Sequence, residues 1–106
     1  MCSITALLQR QPDHVDARQA VLQASQHQRH RGPDWSGLCE FDHAVIAHER
    51  LAIVDVMSGA QPMVDMERGT VLAVNGEIYN HKELRNPAVS GDYPYQSGSD
   101  CEVILA

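Results

Sequence analysis

An apolar run that begins at the second residue constrains the fold of this chain more than any other feature. Residues 2–8 read Cys-Ser-Ile-Thr-Ala-Leu-Leu and are followed by a polar stretch that contains Pro12. A short apolar run bounded by turn-forming residues is typical of a buried strand. The chain is therefore expected to enter a buried strand at its N-terminus, with Cys2 at the start of that strand.

The next part of the chain is predicted to form one helix and several strands. Residues 9–13 form a polar turn, and Asp13 can cap a helix that runs to about His30. Residues 31–34 (Arg-Gly-Pro-Asp) end that helix, because glycine and proline together break regular structure. Strand-like runs are expected at residues 37–41, 44–48, 51–54 and 70–74, with residues 42–43 as a hairpin turn.

The C-terminal third is predicted to hold two short helices. Residues 80–83 (Asn-His-Lys-Glu) and 99–102 (Ser-Asp-Cys-Glu) both have the form of a capping box, and the first helix should reach Arg85. Between them, residues 86–97 are expected to be a loop with a short strand at 93–96. The second helix has a good start but no C-terminal glycine before Ala106, so we expect this chain to be the first part of a longer one.

Composition and charge narrow the class of protein. The formal net charge of −6 argues against an electrostatic grip on nucleic acid. No apolar run is long enough to span a bilayer, and no secretory signal is present. The three cysteines lack paired spacing, which is typical of a reducing cytosol, and His27 and His30 lack the further ligands that a metal site needs. We expect a cytoplasmic globular protein that binds no metal in this segment and neither nucleic acid nor membrane.

Cys2 directly follows the initiator methionine. Removal of Met1 would leave a thiol and a free α-amine on the same residue. The amine can take the thiol proton and later pass it to a leaving group, so that one residue supplies both nucleophile and base. The alternative is that a small residue is simply tolerated at position 2, and for Cys2 taken alone that alternative is favoured.

Asn75 and Gly76 follow the strand-like run at residues 70–74. An Asn carboxamide and a Gly backbone N–H at a strand end are suitable donors for an oxyanion hole, in which the loss of one donor can cost ~3 kcal/mol. The alternative is an ordinary Asn-Gly turn, which is the more frequent use of this pair.

Two charged residues are candidates for binding the ends of an amino acid. Arg50 lies among apolar strand residues, where an unpaired guanidinium is costly, and its planar fork fits a carboxylate. A structural ion pair with Glu49 or Asp55 is equally compatible with the sequence. Asp100 lies in the first turn of the predicted second helix and can bind an ammonium group, or can merely stabilise that turn.

Five blocks, taken together and in order, resemble the class II glutamine amidotransferases. They are residues 1–4 (Met-Cys-Ser-Ile), 29–34 (Arg-His-Arg-Gly-Pro-Asp), 47–51 (Ala-His-Glu-Arg-Leu), 75–80 (Asn-Gly-Glu-Ile-Tyr-Asn) and 97–102 (Ser-Gly-Ser-Asp-Cys-Glu). Residues 48–55 and 76–81 are similar to glutamine-hydrolysing asparagine synthetases in particular. The resemblance covers essentially all 106 residues. At residues 5–6 this chain has Thr-Ala, where relatives often have an aromatic or aliphatic residue followed by Gly.

The resemblance implies an α+β fold, a four-layer αββα N-terminal-nucleophile sandwich with two antiparallel sheets. Residues 1–106 would be only the N-terminal portion of that domain. A synthetase domain would follow in the same chain and would use ATP and Mg²⁺, so no cofactor is expected in this segment. The full-length protein is expected to form a homodimer.

The resemblance also implies roles for the candidate residues. Cys2 would attack the side-chain amide of L-glutamine and form a thioester, ammonia would leave, and water would release glutamate. Asn75 and the Gly76 N–H would hold the oxyanion, Arg50 the α-carboxylate and Asp100 the α-ammonium group. The substrate pocket would be shaped by the backbone around Leu51, Ile53, Val54 and Glu77.

In the full-length enzyme, the ammonia would feed the ATP-dependent conversion of aspartate to asparagine. One alternative is the glutaminase portion of another class II amidotransferase, one that makes hexosamine phosphate or phosphoribosylamine, although the block at residues 48–51 speaks against it. Another is an inactive fragment. The isolated 106 residues are expected to be poorly active.

Overall fold

The computed structural model describes residues 1–8 and 16–106. The predicted polar turn at residues 9–13 and the predicted helix cap at Asp13 lie outside the described residues.

An antiparallel three-stranded sheet forms the centre of the fold. Its strands are β1 (Ser3–Leu8), β2 (Trp35–Phe41) and β3 (Ala44–Arg50), in the order β1-β3-β2. Phe41 pairs with Ala44, so residues 42–43 form the two-residue hairpin turn that the sequence predicts. The predictions of the first three strands are confirmed, although β2 begins two residues earlier than expected and β3 ends two residues later.

The predicted strand at residues 51–54 is wrong, because the chain leaves the sheet after Arg50. The Leu51 N–H donates to the sulfur of Cys2 at 3.3 Å, and the Ala52 N–H donates to the Asp34 carboxylate at 2.9 Å. These two side chains take the donors that a continuing ladder would need. The apolar residues of this segment line a cavity instead of pairing with a neighbouring strand.

Helix α1 (Ala17–Gln26) covers one face of this sheet. The Asp16 side chain caps it by accepting the Gln19 N–H at 3.1 Å. Val21 packs with Val45 and Ala47 in the buried core, which Leu7 and Leu38 extend.

The helix ends four residues before the predicted His30, and a 3₁₀ turn (Arg29–Arg31) follows it. The chain must leave the helix because it crosses β3 at Gly32, where an added Cβ would lie 2.2 Å from the Glu49 carbonyl oxygen.

A second, smaller antiparallel sheet consists of β4 (Met63–Asp65) and β5 (Thr70–Leu72). Strand β4 was not expected from the sequence, because only three residues pair. Strand β5 ends two residues before the predicted end at Val74. The reason is that the N–H and C=O groups of Val74 are bonded to the side chains of Gln61 and His48.

Three short helical segments complete the structure: α2 (His81–Leu84), α3 (Pro87–Ser90) and a 3₁₀ helix (Asp100–Ile104). Helix α2 confirms the predicted first helix. Helix α3 lies in the predicted loop, where the Asn86 side chain caps it. The predicted strand at residues 93–96 is absent from the described structure.

The two predicted capping boxes are wrong, because neither Asn80 nor Ser99 makes a side-chain cap bond. Glu102 reaches past Ser99 and accepts the Ser97 N–H at 2.8 Å and the Ser97 hydroxyl at 2.6 Å. Two antiparallel sheets with a few helices are consistent with the α+β sandwich that the sequence predicts. In the described part of the chain, no helix is long and apolar enough to cross a membrane.

Candidate active site

A cavity of about 350 Å³ lies where β3 ends, beside the segments that follow β3 and β5. All nine residues that the sequence proposes for the site line it: Cys2, Arg50, Leu51, Ile53, Val54, Asn75, Gly76, Glu77 and Asp100. They come from parts of the chain up to 98 positions apart (Cys2 to Asp100). The fold therefore brings the proposed nucleophile, cation, anion and oxyanion donors to one place.

Cys2 lies at the entrance to β1 and is half-buried. The Leu51 N–H donates to its sulfur at 3.3 Å, and the thiol donates to the Leu51 carbonyl oxygen at 3.6 Å. The Cys2 thiol is thus fixed at the cavity wall by the backbone that follows β3.

Arg31 also lies in this region, although the sequence predicts no role for it. Its Nε donates to the backbone carbonyl oxygen of Cys2 at 3.3 Å, and it lies in the 3₁₀ turn after α1. The contact anchors the backbone of Cys2, in addition to the bonds that Leu51 makes with the thiol. Arg31 belongs to the motif block at residues 29–34, which indicates that the residue matters. The spacing of residues in the sequence does not indicate a contact with Cys2.

Arg50 is the last residue of β3 and is only 6% exposed. One of its terminal nitrogens, Nη2, donates to the backbone carbonyl oxygens of Val54 at 2.9 Å and Asp55 at 2.7 Å. Gly59 packs against the same nitrogen, because an added Cβ would lie 2.7 Å from it. The guanidinium has five N–H donors, so three remain for a ligand in the cavity.

Asp100 is buried at the start of the C-terminal 3₁₀ helix and accepts the Ile78 N–H at 2.6 Å. This bond ties the carboxylate to the segment that also carries Gly76. The next residue, Cys101, is 3% exposed, and its thiol donates to the Gly76 carbonyl oxygen at 3.6 Å. Burial and then the neighbouring Asp100 carboxylate raise the pKa of the Cys101 thiol to about 11, so this thiol stays protonated.

Asn75 and Gly76 lie on an exposed bend that forms part of the cavity wall. Neither has a positive φ, so the pair does not adopt the tight hairpin turn for which Asn-Gly is favoured. An added Cβ on Gly76 would meet only a Val74 methyl at 3.9 Å. The backbone at Gly76 is therefore open to a ligand on the cavity side.

The segment before this bend is held by two buried side chains for which the sequence also predicts no role. His48 is fully buried on β3, and its Nε2 lies 2.9 Å from the Val74 carbonyl oxygen. Gln61 is 7% exposed, and its side-chain oxygen accepts the Val74 N–H at 2.6 Å. Burial lowers the pKa of His48, so the imidazole is neutral.

The remaining proposed residues form the rest of the wall. The Val54 carbonyl is occupied by Arg50, while Ile53 is 64% exposed at the cavity mouth and Glu77 is also exposed. Tyr79, another residue given no role from the sequence, lines the cavity and is 90% exposed. Ile53, Glu77 and Tyr79 therefore belong to the exposed part of the cavity lining.

Within residues 1–8 and 16–106, no three His, Cys, Asp or Glu side chains cluster closely enough to hold a metal ion. The cavity presents a thiol, a guanidinium, a carboxylate and amide donors. Such a set suits a zwitterionic ligand with a reactive carbonyl group.

Comparisons with known proteins agree with this chemistry. The sequence model of a family described as "Glutamine amidotransferase domain" matches residues 1–106. The chain is 56% identical over 107 residues to asparagine synthetase B [glutamine-hydrolyzing] of Escherichia coli (strain K12), a match that covers 100% of this chain and 19% of that protein.

The chain is also 49% identical over 104 residues to asparagine synthetase [glutamine-hydrolyzing] of Asparagus officinalis, covering 98% of this chain and 17% of the relative. A probable asparagine synthetase of Dictyostelium discoideum is 43% identical over 106 residues, covering 99% and 19%. The chain spans about a fifth of the length of these relatives.

Proposed function

The chain belongs to the glutamine amidotransferase family, and we propose that it hydrolyses the side-chain amide of L-glutamine with Cys2 as the nucleophile. The observation that carries the proposal is the convergence of Cys2, Arg50, Asn75 and Asp100 on one cavity. Glutamine carries a carboxylate, an ammonium group and a neutral amide. The cavity offers one group suited to each of them, together with a thiol to attack the amide.

The two charged side chains orient the substrate. Arg50 binds the α-carboxylate through the donors that Val54 and Asp55 leave free. Asp100 binds the α-ammonium group, and its bond to the Ile78 N–H fixes the carboxylate for that task. Holding the amide next to the thiol supplies proximity, which is worth up to ~7–11 kcal/mol in well-oriented reactions.

Cys2 and the oxyanion donors carry out the reaction. Once Met1 is removed, the α-amine of Cys2 takes the thiol proton while the sulfur bonds to the amide carbon. The carbonyl oxygen becomes negative and is held by the Asn75 carboxamide and the Gly76 N–H. The amine then passes the proton to the departing nitrogen, the C–N bond breaks, and ammonia leaves a γ-glutamyl thioester. Water hydrolyses the thioester, which releases glutamate and regenerates the thiol.

We further propose that these residues are part of a longer asparagine synthetase in which the ammonia converts aspartate to asparagine. The assignment is supported by the similarity to glutamine-hydrolysing asparagine synthetases and by the greater length of those relatives. ATP and Mg²⁺ would bind to the synthetase domain outside this chain, and the full-length protein would be a homodimer. The cytoplasm is the proposed compartment, because all three cysteines are free thiols.

The test is Cys2→Ala in the full-length protein, with Cys39→Ala as the matched control. Cys2→Ala should abolish glutamate release and glutamine-dependent asparagine synthesis, while synthesis from added ammonia and aspartate persists. Cys39→Ala should retain both activities. Glutaminase activity that survives loss of Cys2 would contradict the nucleophile assignment. Failure to make asparagine from ammonia in the unmodified protein would contradict the synthetase assignment and would leave the hexosamine-phosphate or phosphoribosylamine alternatives.

A further inference from the structure

We propose that His48 and Gln61 are positioning residues that hold the Asn75-Gly76 oxyanion donors in place through the backbone of Val74. The inference deepens the proposed glutamine hydrolysis and rests on it. Neither side chain would touch the substrate amide. Both would act through the residue that directly precedes Asn75.

The first contact comes from β3. His48 Nε2 lies 2.9 Å from the Val74 carbonyl oxygen, which can only accept a hydrogen bond. The neutral imidazole therefore carries its proton on Nε2. Its Nδ1 is buried without a partner in the described structure, so the Val74 bond is the polar contact that fixes the ring. A fully buried imidazole with one directed bond is a rigid donor.

The second contact comes from the loop before β4. Gln61 accepts the Val74 N–H through its side-chain oxygen at 2.6 Å. The backbone of Gln61 packs closely against Gly37 of β2. The contact is so close that an added Cβ on Gly37 would lie 1.9 Å from the Gln61 carbonyl oxygen. Gly37 pairs with His48 across the sheet. Both side chains are therefore anchored on the same point of the central sheet.

At Val74, the two side-chain hydrogen bonds take the place of backbone pairing with a neighbouring strand. Strand β5 ends at Leu72, so Val74 has no pairing strand to set its position. The two side chains satisfy both backbone groups of Val74 and thereby fix the direction in which the chain enters Asn75. Oxyanion donors must be pre-positioned, and a misplacement of ~1 Å can lower the rate about 100-fold. A pair of buried side chains that bind the N–H and C=O groups of this one residue meets that need.

The experiment uses the full-length protein and compares variants that differ in one hydrogen bond. Gln places a donor near the position of His Nε2, whereas Asn places its amide near the position of Nδ1 and cannot reach Val74. His48→Asn should therefore lower kcat for glutamine hydrolysis by about 10- to 100-fold, with KM for glutamine changed by less than about threefold. His48→Gln should recover most of the loss. At position 61, Gln61→Met, which keeps the length and removes the acceptor, should also lower kcat.

A second readout separates positioning from general damage. An aldehyde analogue of glutamine forms a tetrahedral adduct with the thiol and needs the oxyanion donors, whereas glutamate binds without forming one. The inhibition constant for the aldehyde should rise in proportion to the loss of kcat/KM in His48→Asn and Gln61→Met. The dissociation constant for glutamate should stay within about threefold of that of the unmodified protein. The exposed His43, changed to Asn, is the matched control and should alter none of these values.

The outcomes are distinct. Unchanged kcat and aldehyde inhibition in His48→Asn would overturn the inference while leaving the proposed function intact. An equal loss of aldehyde and glutamate binding, not recovered in His48→Gln, would assign both residues a purely structural role and would also overturn it. If Cys2→Ala still releases glutamate from glutamine, the proposed function itself fails. Ammonia-dependent synthesis reports, in every variant, whether the rest of the protein is folded.

Discussion

Arg50 is bonded to the backbone of Asp55 and not to its carboxylate. The guanidinium donates to the Asp55 carbonyl oxygen at 2.7 Å, while the Asp55 carboxylate accepts the Gly98 N–H at 2.7 Å and bonds to Ser58. Glu49, the other candidate partner, accepts a hydrogen bond from Ser25 on the α1 side of the sheet. Within the described residues, neither carboxylate pairs with Arg50. The cation is therefore available to a ligand, which favours the substrate-binding role over the structural ion pair.

Replacing Arg50 with lysine should weaken glutamine binding. Lysine keeps the charge but loses the planar fork, and beside the two backbone carbonyls its three donors leave at most one for a substrate carboxylate. We expect KM for glutamine to rise about 10- to 100-fold, with a smaller change in kcat. Steady-state kinetics of glutamate release in the full-length protein would measure KM and kcat, with the surface variant Arg68→Lys as the control. A KM equal to that of the control would contradict the assignment of Arg50 to the α-carboxylate.

Asp55 should influence substrate binding without touching the substrate. Asp55 lies in the loop that binds Arg50, and its carboxylate accepts the Gly98 N–H. This bond connects the loop to the segment that carries Asp100, two residues after Gly98. The bond from Ser58, and then the Gly98 N–H, lower the pKa of Asp55 below its ordinary 3.8, so it is ionised at neutral pH. Asp55→Asn keeps the left-handed backbone (φ 49°), which Asn tolerates, but removes the charge and one acceptor.

We expect KM in Asp55→Asn to rise about 3- to 10-fold, by the same amount at every pH between about 5 and 8. The loss should be independent of pH because the carboxylate titrates below that range. Kinetics of the variant and of Asp92→Asn, an exposed aspartate that does not line the cavity, would provide the comparison. An effect that appears only at one end of the pH range would show that another group is responsible.

The strands and the composition of the site could be predicted from the sequence, because their signals are local. Apolar runs predicted β1, β2 and β3, and the motif blocks supplied the nine residues that line one cavity. The ends of the strands could not be predicted in the same way. They are set where a side chain distant in sequence takes a backbone donor or acceptor, as Cys2 does at Leu51 and Gln61 does at Val74.

The same reason explains the residues that were missed. Arg31 and His48 belong to motif blocks, but their partners are carbonyl oxygens of residues 29 and 26 positions away. A backbone carbonyl has no side-chain identity, so sequence patterns carry no signal of the contact. Only the folded structure brings them together. Residues that position the site were therefore harder to predict than those proposed to bind substrate.

Cys101 should resist alkylation although it lines the cavity. Burial and the adjacent Asp100 raise the pKa of its thiol to about 11. At pH 8 the thiolate fraction is then about one in a thousand, and only the thiolate reacts with iodoacetamide. Mass spectrometry of the full-length protein after brief alkylation should find Cys101 modified far more slowly than the half-buried Cys39. Raising the pH to about 10 should accelerate Cys101 by up to ~100-fold, as expected for a thiol that is mostly protonated at both values. Equal rates for the two cysteines at pH 8 would contradict the raised pKa.

His48 should make the stability of the central sheet depend on pH in a defined window. Burial lowers the pKa of His48 below its ordinary 6.5, so the native imidazole stays neutral when an unfolded one takes a proton. Below pH 6.5 the unfolded state therefore binds more protons, and stability falls as the pH drops towards the lowered native pKa. One such group contributes a slope of at most ~1.4 kcal/mol per pH unit.

Hydrogen exchange of the β3 amides in the full-length protein, corrected for intrinsic rates, would measure this slope. His48→Gln keeps the donor to Val74 but cannot titrate, so its opening free energy should vary less with pH between about 5 and 6.5 than that of the unmodified protein. The exposed His43→Gln should retain the full slope, because it leaves the buried His48 imidazole in place. If His48→Gln and His43→Gln showed the same slope, the buried imidazole would not be the source of the pH dependence. The interpretation that a neutral His48 imidazole donates to the Val74 carbonyl oxygen would then lose its support.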